Sequence, residues 1–121
     1  MKICITSQGK DLNSEVDPRF GRCAYFIIVD TDTLEFEAIE NSNAQTMGGA
    51  GIQAGKLIIE QDVKALLTGN VGPNAFQTLN AGGIEIITSV SGKVSAAVDQ
   101  FKKGQLKTTN GPNVQSHFGM K

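Results

Sequence analysis

The sequence predicts a single α/β domain: a five-stranded mixed sheet, with an N-terminal antiparallel hairpin joined to parallel strands and helices on its faces. Three observations carry that prediction. The chain has 121 residues, enough for one domain to bury roughly two-thirds of its unfolded surface without disulfides or structural metal. The spacing of apolar residues changes after Asn43 from the alternation of strands to the three-and-four spacing of helices. Most of the 14 glycines stand at the ends of these periodic segments, where the chain changes direction.

Residues 2–6, Lys-Ile-Cys-Ile-Thr, include β-branched side chains and form the first strand. A polar stretch, 7–22, separates it from 24–29 (Ala-Tyr-Phe-Ile-Ile-Val), a near-continuous apolar run that suits a strand covered on both faces. Asp30-Thr31-Asp32-Thr33 supplies turn chemistry, and 34–40 follows with alternating acids at its start, the mark of a half-exposed edge strand. These two strands pair as an antiparallel hairpin.

After Gly48-Gly49-Ala50-Gly51 the pattern becomes helical over 52–60, with Ile52, Gly55 and Ile59 on one face. Residues 63–68 form a short buried strand ended by Gly69-Asn70. Pro73 opens a second helix at the position where a missing N–H costs nothing. Ala75, Phe76 and Leu79 give that helix its apolar side, and Gly82-Gly83 stops it. Residues 84–88 are the next strand. The third helix, 93–103, has Val94, Ala97, Val98 and Phe101 on one face, with Lys102 and Lys103 at its negative end and Gly104 after it. The order β-β-β-α-β-α-β-α over 1–104 implies right-handed parallel crossovers in the second half. Residues 105–121 are polar and read as a surface tail that adds little to stability.

Composition narrows the function. Hydrophobic residues make up 40% and charged residues 19%, the balance of an ordinary globular protein. A formal net charge of -1 argues against nucleic acid as a partner, because affinity for phosphate backbones rests on a clustered positive excess. No apolar run approaches the roughly 20 residues of a membrane helix. The N-terminus, Met1-Lys2-Ile3-Cys4-Ile5-Thr6, turns polar too soon for a signal peptide. A cytoplasmic location is therefore expected, with Cys4 and Cys23 as reduced thiols. Their spacing matches no zinc or redox motif.

Three loops can carry chemistry. Asp17-Pro18-Arg19-Phe20-Gly21-Arg22-Cys23 places two guanidinium groups around an aromatic residue and a glycine. Such forks bind anions through charge-assisted hydrogen bonds; equally, they can pair with Asp17 or Glu15 in a plain turn. Met47-Gly48-Gly49-Ala50-Gly51 stands at a helix entrance, where free N–H groups and the helix dipole favour anions; a flexible hinge is the alternative. It is neither a Walker loop nor a dinucleotide fingerprint. Thr68-Gly69-Asn70-Val71-Gly72-Pro73-Asn74 lies beyond the carboxyl end of a parallel strand, where open α/β sheets bind ligands. Cys4, in a central strand, reads as a small buried hydrophobe. Cys23 is a candidate metal ligand whose pKa neighbouring Arg22 and Arg19 can lower, or a residue that points into the sheet. His117 reads as a solvated tail residue. No nucleophile elbow and no inward carboxylates on the first strand support hydrolase or two-metal nuclease chemistry.

Asp17-Pro18-Arg19-Phe20-Gly21-Arg22 followed by an apolar strand, the Gly-Gly-Ala-Gly helix entrance, and Thr68-Gly69-Asn70-Val71-Gly72-Pro73-Asn74-Ala75-Phe76 together resemble the dinitrogenase iron–molybdenum cofactor biosynthesis family over about 1–104. The resemblance implies a ribonuclease-H-like sandwich without nuclease activity. It also implies a nitrogenase-accessory-like role: non-catalytic binding of a metal–sulfur cluster or its precursor, containing molybdenum, iron or copper. Cluster-assembly proteins are the implied protein partners. Nitrogenase-associated members carry histidine in a His-Phe-Gly motif where this chain has Arg19, and arginine implies hydrogen bonding to cluster sulfur instead. The expected binding residues are Arg19, Phe20, Gly21, Arg22, Gly48, Gly49, Gly51 and Asn70, holding an anionic cluster or oxoanion, with Cys23 as candidate metal ligand. The alternative is a protein-interaction or regulatory module of the same fold without cargo.

Overall fold

In the computed structural model, which describes residues 1–42, 49–109 and 111, the chain runs β1 (Lys2–Ser7), β2 (Tyr25–Asp30), β3 (Phe36–Glu40), α1 (Ala50–Glu60), β4 (Ala65–Leu67), α2 (Pro73–Ala81), β5 (Glu85–Ile87) and α3 (Val94–Lys102). The strands lie in the order β3-β2-β1-β4-β5 in one sheet. β1 sits in the middle, with five of its six residues buried. It pairs antiparallel with β2, where Cys4 faces Ile28, and parallel with β4, where Cys4 faces Leu66. β2 and β3 form the antiparallel hairpin, and β5 runs parallel to β4. This is the five-stranded mixed sheet that the sequence predicts, in the ribonuclease-H-like arrangement that the family resemblance implies. No helix among the described residues is long and apolar enough to cross a membrane.

Side chains alternate across the strands and so fill two cores. Cys4, Phe26, Ile28, Leu66 and Ile86 point to one face, beneath Ala54 and Ile58 of α1 and Ala75 and Leu79 of α2. Ile3, Ile5, Ile27, Val29, Leu67 and Ile87 point to the other, beneath Val94, Ala97 and Val98 of α3. Each large aliphatic side chain buried this way contributes about 1.5–3 kcal/mol before entropy is counted. The α3 face matches its sequence period.

The α1 face differs. Ala50, Ala54, Gly55 and Ile58 are its buried residues, whereas Ile59 is exposed. The helix packs on the sheet and on α2 at once, and small residues serve the second contact. A Cβ on Gly55 would come 2.9 Å from Thr78 Cγ2, and one on Gly51 would come 3.1 Å from Ala75 Cβ. Gly55 thus belongs to the helix–helix seam, and Ile52 and Ile59 flank it.

The polar composition after α3 conceals a contact. Thr109 N–H donates to Ile86 O at 2.7 Å on the outer edge of β5. Thr88 N–H donates to Thr109 Oγ1 at 3.1 Å, the two hydroxyls meet at 2.8 Å, and Thr108 Oγ1 donates to Glu85 Oε1 at 2.6 Å. Leu106 is partly buried against the α3 core. Residues 105–109 therefore follow the sheet edge; of the remainder of 105–121 only Gly111 is described, and His117 lies outside the described residues.

Candidate anion-binding site

The strand directions decide where the loops meet. β1, β4 and β5 are parallel, so their carboxyl ends share one end of the sheet. Antiparallel pairing makes β2 begin at that end and β3 finish there. α1 and α2 also begin there, since each carries the chain back to the start of the next strand. The segments 8–24, 41–42 and 68–72, with Gly49 at the start of α1, are thereby gathered beyond the carboxyl ends of the parallel strands, the usual ligand position of open α/β sheets.

The arginine loop is tied down on three sides. Asp17 N–H donates to Thr6 O at 2.9 Å, and the Thr6 hydroxyl donates to Asp17 O at 2.7 Å while meeting the Thr68 hydroxyl at 2.8 Å. Asn70 N–H donates to Pro18 O at 2.7 Å, its side-chain amide donates to the same oxygen at 3.1 Å, and Phe20 N–H returns a bond to Asn70 O at 3.1 Å. Only glycine fits at 69, because a Cβ there would lie 2.6 Å from Pro18 Cα. On the third side, the buried Asn41 amide donates to Gly21 O at 3.0 Å and to Cys23 O at 2.9 Å.

These ties press the loop onto the start of α1. Gly21 has φ 94, and a Cβ on it would lie 2.9 Å from Gly51 Cα and 3.0 Å from Gly51 N. Arg19 and Arg22 are exposed on this loop. The Nε of Arg19 lies 3.3 Å from Asp17 Oδ1, yet the arginine side chain remains 61% exposed. Its pair with Asp17 is the plain-turn contact the sequence left open.

Beside the arginines stand two helix N-termini. α1 begins after Gly49 and α2 after Gly72; neither has a side-chain cap hydrogen bond or an acidic residue in its first turn. The first backbone N–H groups of a helix have no partner within it, and the aligned peptide dipoles make that end positive. Contact between Gly51 and Ala75 sets the two ends side by side. The assembled surface offers guanidinium and backbone donors, with the Asp17 carboxylate paired to Arg19 beside them. It can hold an anion by hydrogen bonds and field.

The expected site residues fall into groups. Gly21 meets Gly51 and Arg19 bridges to Asn70; Arg22 and Gly49 adjoin these contacts along the chain, whereas Gly48 lies outside the described residues. Phe20 belongs to the core, 9% exposed and packed on Phe26 with ring centroids 6.0 Å apart. Cys23 is fully buried as well. The expectation that nearby arginines lower its pKa is corrected. The thiol is pushed up to about 12, first by burial and then by the Asp17 carboxylate, while Arg19 pulls only weakly the other way. Burial also raises the Cys4 thiol, with Cys23 adding to the effect. Among the described residues no group of three His, Cys, Asp or Glu is placed to hold a metal ion. The sequence places Thr68 in a candidate loop without a role for its hydroxyl, and it gives Asn41 and Thr6 no part in the site; their signal is a polar residue directly after, or at the end of, an apolar strand.

The comparisons with known proteins agree with this architecture. The family model described as dinitrogenase iron-molybdenum cofactor matches residues 1–104. The orange protein from Desulfovibrio gigas, in its apo form, has a similar structure, with TM-score 0.90 and 43% identity, covering 93% of this chain and 96% of that one. The Thermotoga protein TM1290 superposes with TM-score 0.77 at 39% identity, covering 88% of this chain and 91% of the other. Protein MJ0580 of Methanocaldococcus jannaschii is 31% identical over 98 residues, 78% of this chain and 83% of its own length. With the match running from the first residue to the end of α3, the chain belongs to the dinitrogenase iron–molybdenum cofactor family.

Proposed function

We propose that this protein is a non-catalytic, cytoplasmic carrier of an anionic metal–sulfur cluster or its precursor, containing molybdenum, iron or copper, within cofactor assembly. The observation that supports this most is the convergence of Arg19 and Arg22 with two uncapped helix N-termini on one end of the sheet. The donors act on cluster sulfides or on the oxygens of an oxoanion, so direct ligation is not required. Cys23 is left out of this contact set because its thiol is buried and held protonated. Cluster-assembly proteins are the natural sources and recipients of the cargo.

A second reading, an interaction module without cargo, is favoured by the Arg19–Asp17 pair, which partly neutralises the loop. Titration with tetrathiomolybdate, followed by visible absorbance, separates the two. Replacing both arginines (Arg19→Gln with Arg22→Gln) weakens uptake at least tenfold, about 1.4 kcal/mol, with the circular dichroism unchanged. Equal uptake by wild type and variant overturns the anion site, and no uptake by wild type favours the interaction module.

A further inference from the structure

Asp17 is an unusual neighbour for an anion site. Its side chain is 3% exposed although it lies on a surface loop. One oxygen, Oδ1, accepts both the Arg19 N–H at 3.0 Å and the Arg19 Nε at 3.3 Å. The residue cannot swing away easily, because its backbone is bonded to Thr6 at both N–H and C=O, at 2.9 and 2.7 Å. Contact through Nε holds the base of the guanidinium and leaves the terminal nitrogens outside the pair. The negative charge is felt around it, since Asp17 helps to raise the buried Cys23 thiol.

We propose that Asp17 is the built-in counter-ion of the anion site, fixing Arg19 before cargo arrives and weakening the grip on cargo so that it can be handed on. This rests on the carrier reading above. A carrier must release what it binds, and a fixed carboxylate beside the binding arginine lowers affinity by repulsion while its hydrogen bond takes up only the guanidinium Nε. The repulsion scales with the charge of the anion, which sets it apart from a purely structural role.

The test uses two tetrahedral sulfido anions of similar shape, tetrathiomolybdate with two negative charges and tetrathiorhenate with one. Asp17→Asn keeps an acceptor oxygen for Arg19 N–H and removes the charge. It binds tetrathiomolybdate about tenfold more tightly than wild type and tetrathiorhenate about threefold more tightly, the logarithm halving with the anion's charge. A second variant guards against loss of fold. Asp17→Asn combined with Arg19→Gln leaves no unpaired buried charge, and it binds tetrathiomolybdate within about threefold of wild type, well above Arg19→Gln alone. Unchanged or weaker binding by Asp17→Asn, or equal changes for the two anions, overturns the counter-ion role while the carrier reading stands. No binding of either anion by wild type overturns both.

Discussion

Replacing Asn41 by alanine should loosen the arginine loop more than any change to an arginine itself. The Asn41 side chain is 5% exposed and gives its two amide protons to Gly21 O and Cys23 O, at 3.0 and 2.9 Å. Truncation leaves two carbonyl groups without these donors. Each such loss costs about 1–3 kcal/mol, and water entering from the nearby surface brings the pair to about 2–4 kcal/mol. At this chain length 1 kcal/mol corresponds to about 4 °C in melting temperature, so Asn41→Ala should melt about 8–16 °C below wild type. Asn41→Asp sharpens the test, because it keeps the shape and turns an oxygen toward both carbonyls. Repulsion raises the pKa of the new carboxyl in the fold, so its penalty is full above that raised value. The penalty fades as pH falls toward the ordinary aspartate value of about 3.9. Thermal melts of the three proteins by circular dichroism at pH 7 and pH 4 measure both effects. If Asn41→Ala melts within about 2 °C of wild type, the side chain does not anchor the loop.

Truncation after Gly104 removes the Thr109–Ile86 bond, the Thr88–Thr109 pair and the Leu106 packing, and should lower stability by about 2 kcal/mol; an unchanged melting curve would show that the sheet edge does not need residues 105–109. Cys23, with its pKa raised to about 12, should resist iodoacetamide at pH 8 in the native protein and react readily in denaturant. An acid whose folded pKa is raised stabilises the fold below its unfolded value, here about 8.5. That contribution should disappear as pH climbs toward 12, which urea titrations between pH 8 and pH 11 would detect as a falling midpoint.

Legibility in the sequence followed the range of the interactions. β2 and α3 are plain in the sequence, β2 as a near-continuous apolar run and α3 by its three-and-four spacing, and burial of Phe26–Val29 and of Val94, Ala97 and Val98 follows directly. β4 and β5 have only three residues each, too few for a period to fix their ends. The sequence does not show which part of α1 meets α2, because Gly51 and Gly55 carry no side chain to mark the seam. Phe20 sits in a polar loop, and nothing local says that it folds back onto Phe26. The candidate site was legible as three separate motifs. Their meeting depends on bonds across long sequence separations: Asn41 to Gly21, Asn70 to Pro18, and Thr6 to Thr68. The Cys23 pKa was misread for a related reason, since Arg22 is its neighbour in sequence but burial dominates in space.

The most direct measurement is amide chemical-shift mapping of nitrogen-15-labelled wild type during titration with tetrathiomolybdate. An anion held between the arginine loop and the two helix N-termini moves the amides of Arg19, Gly21, Arg22, Gly49, Ala50, Gly51 and Asn70 together, saturating with one affinity. Shifts concentrated on the opposite end of the sheet, around Asp30–Glu35, or no shifts at millimolar anion, would contradict the site.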